Sequence, residues 1–410
     1  MKKFLCLLLI LSTCIICSCS QEAKYQDLMK NITPSAVSPE ENIEGENKAY
    51  TEFAVELFKK SLSEDGKNTL ISPLSVIYAL GLTANGADGN TLSQMEDVLN
   101  FNVSDLNNYL YSYAKQKAKD ESATLSIANS IWFIDDEERL KVNHDFLQKN
   151  ADYYNAAANR ADFSDPDTVK DINNWVKDNT KGMIPEIVSE IEPDNVMFLI
   201  NALAFEAEWE EKYKKGSIKD GTFTLEDGTK QKVEFMHSDE YRYIGDENSK
   251  GFMKNYKGKY AFAALLPNEG ISIDEFVSTL SGEKITNILT TLGSRYCITS
   301  MPKFETEYNV EMAEIFKSLG MTDAFIEGVA DFSKMGEAKE LHIDNIIHKT
   351  FISVGELGTK AGAATAVIMS DGGMFPSEIT EIHLNRPFVY MLVDTENNIP
   401  LFMGTLMSVK

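Results

Sequence analysis

Apolar and polar positions change their rhythm along this chain. Phe53, Leu57, Phe58 and Leu62 recur at helical spacing and predict an amphipathic helix closed by Gly66. Ser72-Pro73 starts a second helix, because proline is tolerated in a first turn. Its sequence is apolar nearly all round, so it should be buried. Thr91 and Gln94 read as a capping box for the next helix. Residues 122–134 read as a strand, and Asp165-Pro166 opens a helix carrying Ile172, Trp175 and Val176 that stops near Gly182. The run VMFLINALAF (196–205) is apolar except for Asn201, the pattern of a strand covered on both faces. Stretches 222–225, 231–236, 241–245, 252–256, 259–266 and 296–304 predict further strands, and 307–320 predicts a helix. FVYMLVD (388–394) and LFMGTLMSV (401–409) predict a hairpin joined by TENNIP. Helices lead and strands follow without a repeat, which implies an α+β fold around one core.

One stretch fits neither rhythm. In GELGTKAGAATAVIMSDGGMF (355–375) almost every side chain from Gly358 to Ala366 is small. It has no helical stripe, little β-branched density and no linker composition. Such a segment can stay extended and later pack tightly.

The first residues, MKKFLCLLLILSTCIICSCS, have the form of an export signal: Lys2 and Lys3, then an apolar stretch from Phe4 to Ile16 too short for a comfortable membrane span. Ile16-Cys17-Ser18-Cys19 resembles a bacterial lipoprotein cleavage box, with Cys19 as the lipidated new N-terminus; a plain secretory signal is the alternative. The expected division is a signal peptide over 1–18, a flexible tether over 19–46 and one folded domain over 47–410. The protein would then be exported, either as a cell-envelope lipoprotein (outer membrane, periplasmic side or cell surface) or secreted, touching the membrane only through its lipid.

Charge and cysteines narrow the chemistry. Loss of residues 1–18 removes two lysines, so the mature charge is 37 − 63 = −26, which disfavours nucleic acid. Four of five cysteines lie in the leader, so the body relies on its core without an internal disulfide, and Cys297 reads as a buried structural thiol. His144, His237, His342, His348 and His383 form no close metal-ligand pair. No nucleophile elbow, phosphate loop or dinucleotide fingerprint occurs, so neither an enzyme, a cofactor nor a metal is indicated.

Several stretches together resemble the serpin family of protease inhibitors. They are NTLISPLSVIYALGLTANGADGNTLSQM (68–95), INNWVKDNTKGMIPEIV (172–188), LINALAFEAEW (199–209), MPKFETEYNV (301–310), ADFSKM (330–335) and LNRPFVYML (384–392). The resemblance spans about residues 47–410. It implies a serpin fold: a large mixed β-sheet, further sheets, about nine helices and a mobile reactive-centre loop over about 356–380. Ser72, Ser75, Asn201 and His348 match the family's shutter, a polar cluster beneath the main sheet; a satisfied buried network without a moving part is the plainer reading. Trp209, Lys303 and Glu356 match its breach, where a Lys303–Glu356 pair would hold the loop's entry strand.

GELGTKAGAAT resembles the serpin hinge, with Glu356, Gly358, Thr359, Ala361, Ala363, Ala364 and Thr365 at hinge positions. After cleavage the hinge would enter the main sheet as a new strand. One parity, Thr359, Ala361, Ala363, Thr365, Val367 and Met369, is neutral and begins small, which suits an inward face. Lys360 and Gly362 depart from the family pattern, both on the other parity. Counting from Glu356 places the cut between Gly372 and Gly373; counting back from Asn385 lands nearer Pro376, so Met369, Met374 and Phe375 are rival bait residues. None is basic, which favours elastase-, subtilisin- or chymotrypsin-like serine proteases, or papain-like cysteine proteases, over trypsin-like ones. The resemblance implies a monomeric suicide inhibitor that traps its protease as an acyl-enzyme. A non-inhibitory serpin-fold binding protein, and more remotely an exported hydrolase, are the alternatives.

Overall fold

The structure is a computed structural model that describes residues 24–63, 65–118, 124–154, 156–192, 195–291, 293–338, 341–359 and 379–409. Among the described residues the chain forms nine α-helices and two large sheets. The helix Pro73–Ala84 is buried along its whole length, as its all-round apolar pattern requires. It lies behind the main sheet, in contact with the Met197–Glu208 and Thr124–Ile134 strands.

The main sheet has seven strands, ordered Gln26–Asp27, Ala157–Ala161, Thr124–Ile134, Met197–Glu208, Gly358–Thr359, Asn345–Gly355 and Phe304–Glu311. Its centre positions the candidate site. Met197–Glu208 runs antiparallel to Thr124–Ile134 from Thr124↔Glu206 to Phe133↔Met197. On its other side it pairs in parallel with Asn345–Gly355, from Asn345↔Phe198 to Thr350↔Leu203. Beyond Thr350 those two strands separate, and Gly358–Thr359 occupies the gap, pairing with Ala207 and Glu208 on one side and with Val354 and Gly355 on the other.

The second sheet has nine strands. One of its edge strands, Ile379–His383, runs parallel to Gly293–Pro302 and follows residues 360–378 in the chain. The C-terminal hairpin forms as Phe388–Asp394 and Ile399–Leu406. Cys297 is fully buried, and burial pushes its thiol pKa up.

Four expectations change. Residues 24–43 are not a free tether. Gln26–Asp27 adds to the edge of the main sheet beside Asn159 and Arg160, and Tyr25 packs edge-on against Trp132 at 4.9 Å. Lys24 Nζ lies 3.0 Å from both Asp165 and Asp167. The apolar side chains Tyr25, Leu28, Met29 and Ile32 pack against the core, although polar neighbours disguise them in the sequence. Second, the first helix is Glu44–Lys60 and ends before Gly66. Third, the capping box is absent: Asp88 caps the Gly89–Leu99 helix, while Thr91 Oγ1 accepts from Asp331 N–H and Gln94 Oε1 from Thr322 and Asp323. Fourth, 307–320 divides into the end of the Phe304–Glu311 strand and a short Ala313–Leu319 helix, because sheet pairing with Asn345–Gly355 overrides the local helical pattern.

Candidate functional site: shutter, breach and hinge

The shutter residues meet at one buried point. Asn201 and His348 face each other across the parallel pair that joins the two halves of the main sheet. Ser72 caps the Pro73–Ala84 helix, its Oγ accepting from Ser75 N–H at 3.3 Å and donating to the Leu401 carbonyl at 3.0 Å. Ser72 N–H donates to His348 Nε2 at 3.0 Å. Nε2 is therefore the bare nitrogen, and Nδ1 carries the proton it donates to Asn201 Oδ1 at 3.0 Å. The same oxygen accepts from Ser75 Oγ at 2.7 Å. All four residues are fully buried, and burial depresses the His348 pKa to about 3, so the imidazole is neutral. Asn201 Nδ2 donates onward to the Ser75 carbonyl and, at 2.8 Å, to Asn129 Oδ1. Asn129 escaped the sequence reading; it stands directly opposite Asn201 in the sheet register, which no local pattern reports.

The breach lies at the other end of the gap. Trp209 is fully buried and stacks on Tyr256 at 4.2 Å with the planes 9° apart. Its indole N–H donates to the Gly355 carbonyl at 2.7 Å, and its backbone N–H to Leu357 at 2.9 Å. Lys303 Nζ contacts Glu356 Oε1 and sits 3.0 Å from Glu234. Burial alone would lower the Lys303 pKa; its hydrogen bonds to the two carboxylates outweigh that and raise it. Glu356 is thus tied by its side chain to Lys303 and by its carbonyl to Tyr213 N–H at 3.1 Å.

The hinge starts inside this frame. Gly358 has φ +152°, which side-chain-bearing residues rarely adopt, and a Cβ there would overlap the Ala207 carbonyl oxygen and press on Glu208 Cα at 2.8 Å. Only glycine fits. Thr359 is 1% exposed and its hydroxyl hydrogen-bonds the Tyr256 hydroxyl. Thr359 therefore takes the inward parity expected of it. Ala361, Ala363, Ala364 and Thr365, the bait candidates Met369, Gly372, Gly373, Met374 and Phe375, and Cys19 lie outside the described residues. Among the described residues no group of three or more His, Cys, Asp or Glu side chains could hold a metal, and no helix is long and apolar enough to cross a membrane.

Comparison with known proteins agrees with this geometry. The family model described as "Serpin (serine protease inhibitor)" matches residues 48–409. The leukocyte elastase inhibitor of Equus caballus is 31% identical over 88% of this chain and 98% of its own length. The native-state crystal structure of tengpin, a thermophilic serpin, superposes with a TM-score of 0.89 at 46% identity, covering 94% of this chain and 100% of that one. The latent-state structure of tengpin gives 0.80 at 44% identity over 91% of this chain and 100% of that one. The closer match to the native state fits a main sheet whose central strands are still paired below a two-residue hinge strand. The chain belongs to the serpin family.

Proposed function

We propose that this protein inhibits serine-type endopeptidases as a suicide substrate. One observation carries the reading: Gly358–Thr359 already stands between the two strands that must part, with a small neutral side chain turned inward. The residues that follow continue that parity with Ala361, Ala363 and Thr365. No charge would have to be buried as they enter the gap.

The protease serine attacks a carbonyl within residues 369–375, the peptide bond breaks, and the new amine leaves with the C-terminal part of the chain. The ester to the serine remains. The freed strand enters between Met197–Glu208 and Asn345–Gly355 before water deacylates it, which breaks the His348–Asn201 bond and carries the acylated protease across the molecule. The uninserted fold persists because this opening is slow, so its stability is kinetic. The neutral bait candidates favour elastase-, subtilisin- or chymotrypsin-like targets, and papain-like cysteine proteases as a lesser class. Residues 1–18 serve as an export signal, and Cys19 carries a lipid that holds the domain at the cell envelope.

Titrating each protease class with the mature protein tests the inhibitory reading on denaturing gels. A band that survives denaturant supports it, and the mass of the released C-terminal peptide assigns the bait residue. Clean loop cleavage with no such band in any class overturns it in favour of a non-inhibitory serpin. Metabolic labelling with a fatty acid, lost in Cys19→Ala, tests the anchor.

A further inference from the structure

At the outer edge of the main sheet lies a cavity of about 510 Å³, within the size range of small-molecule sites. It opens where the Ala157–Ala161 strand begins, because that strand pairs with Thr124–Ile134 only from Ala157↔Ser130 onward. Tyr25 from the N-terminal segment, Tyr154 from the His144–Tyr154 helix and Trp175 from the Asp167–Asn179 helix supply aromatic walls. Among the described residues, Asp27 is the charged side chain in its lining, and no lysine or arginine lines it. The field there is negative: after burial, the carboxylates of Asp171, Asp27 and Asp178 are what raise the Tyr25 phenol.

Two polar side chains give this cavity direction. Asn159 is 1% exposed, and among the described residues its Nδ2 has no hydrogen-bond partner. A buried donor left unmade is costly, so an acceptor supplied from the cavity is favoured. Asn129, on another wall, accepts from Asn201 of the shutter at 2.8 Å. The cavity is therefore one hydrogen bond away from the residues that hold the sheet closed.

We propose that this cavity binds a small planar aromatic amine: a cationic end toward Asp27, rings between the aromatic walls, and an acceptor group on Asn159 Nδ2. Aromatic walls beside a carboxylate attract cations and repel anions. The site has a consequence that rests on the inhibitory reading above. When Met197–Glu208 parts from Asn345–Gly355, the strands paired to its outer side must move with it. A ligand wedged between those strands and Tyr154 resists the movement and slows insertion.

Calorimetric titration of the full mature protein tests the site without any protease. The probes are 5-hydroxytryptamine, tryptamine (which lacks the acceptor) and 5-hydroxyindole-3-acetate (the anion). Saturable binding of 5-hydroxytryptamine is expected near or below about 1 mM, with the anion at least about tenfold weaker. Asn159→Leu should remove the preference for the hydroxylated amine over tryptamine, and Ala156→Trp should fill the cavity and abolish binding of both. Should Asn159→Leu fail to fold, the probe series and Ala156→Trp still decide. Absence of saturable heat, equal binding of the anion, or binding indifferent to Ala156→Trp overturns the site. A second measurement on a trapped protease, with 5-hydroxytryptamine present, should show more inhibitor cleaved per enzyme trapped. An unchanged ratio overturns the link to the sheet, and absence of trapping without any probe counts against the inhibitory reading instead.

Discussion

Gly358→Ala adds one methyl group at the point where the hinge enters the sheet. At Gly358 the added Cβ meets backbone on the Ala207–Glu208 strand, and φ +152° is a glycine conformation. Flexible side chains could yield; strand backbone, anchored next to this point by the Glu206–Thr124 pairing, cannot. Holding a non-glycine residue there costs about 2–3 kcal/mol, taking backbone strain alone. Gly358 holds this conformation in the uninserted fold, already paired on both sides, so the cost falls on the stability of that fold. At 1.36 kcal/mol per tenfold, the ratio of folded to unfolded chain drops by about 30- to 160-fold. The assay is chemical unfolding of the uncleaved protein followed by circular dichroism, beside Gly355→Ala as control. Among the described residues nothing lies within 4 Å of a Cβ at Gly355, so that variant should unfold as the parent does. An unchanged unfolding midpoint in Gly358→Ala would refute the argument that only glycine fits this seat.

Further expectations concern the shutter, the breach and the lone thiol. His348 is neutral when folded, with its pKa moved from 6.5 to about 3. Folded stability is complete above the unfolded value and is lost as pH falls below it, by about 2 kcal/mol at about pH 5. Melting temperatures from pH 7.5 to 5 should therefore fall more steeply in the parent than in His348→Gln, and parallel curves would contradict the assignment. Lys303→Met removes both breach ion pairs, whose partners are partly exposed, so about 1 kcal/mol or less is at stake. Inhibitory activity should then decay up to about fivefold faster on warming, and an unchanged decay would remove Lys303 from the account. Cys297, buried with a raised pKa, should resist iodoacetamide at pH 8 until the protein is unfolded; rapid labelling of the native form would show the strand opening there.

What the sequence revealed follows from how local each signal is. The apolar run broken by Asn201 identified a strand covered on both faces, and a lone amide within such a run marks a buried polar contact. Family order then supplied Ser72, Ser75 and His348, which the fold brings to one point. Asn129 was hidden because its partnership depends on antiparallel register between strands far apart in the chain. The docked N-terminal segment was hidden because Tyr25, Leu28, Met29 and Ile32 have no period of their own; they bury against a surface made by distant helices and the sheet edge. The strand at 304–311 lost to a helical reading because its cross-strand partners lie at 347–354. The small side chains after Gly358 mark the expected hinge in the sequence, whereas the two-residue seat of Gly358–Thr359 between Ala207 and Val354 appears only in three dimensions.

Trapping itself is tested most directly by the intact mass of the species formed with an elastase-like protease, measured after denaturation. The account predicts one covalent species whose mass equals protease plus inhibitor, minus a C-terminal peptide that begins within residues 370–376. A mixture of free protease and fully cleaved inhibitor, with no covalent adduct for any protease that cuts the loop, would contradict it.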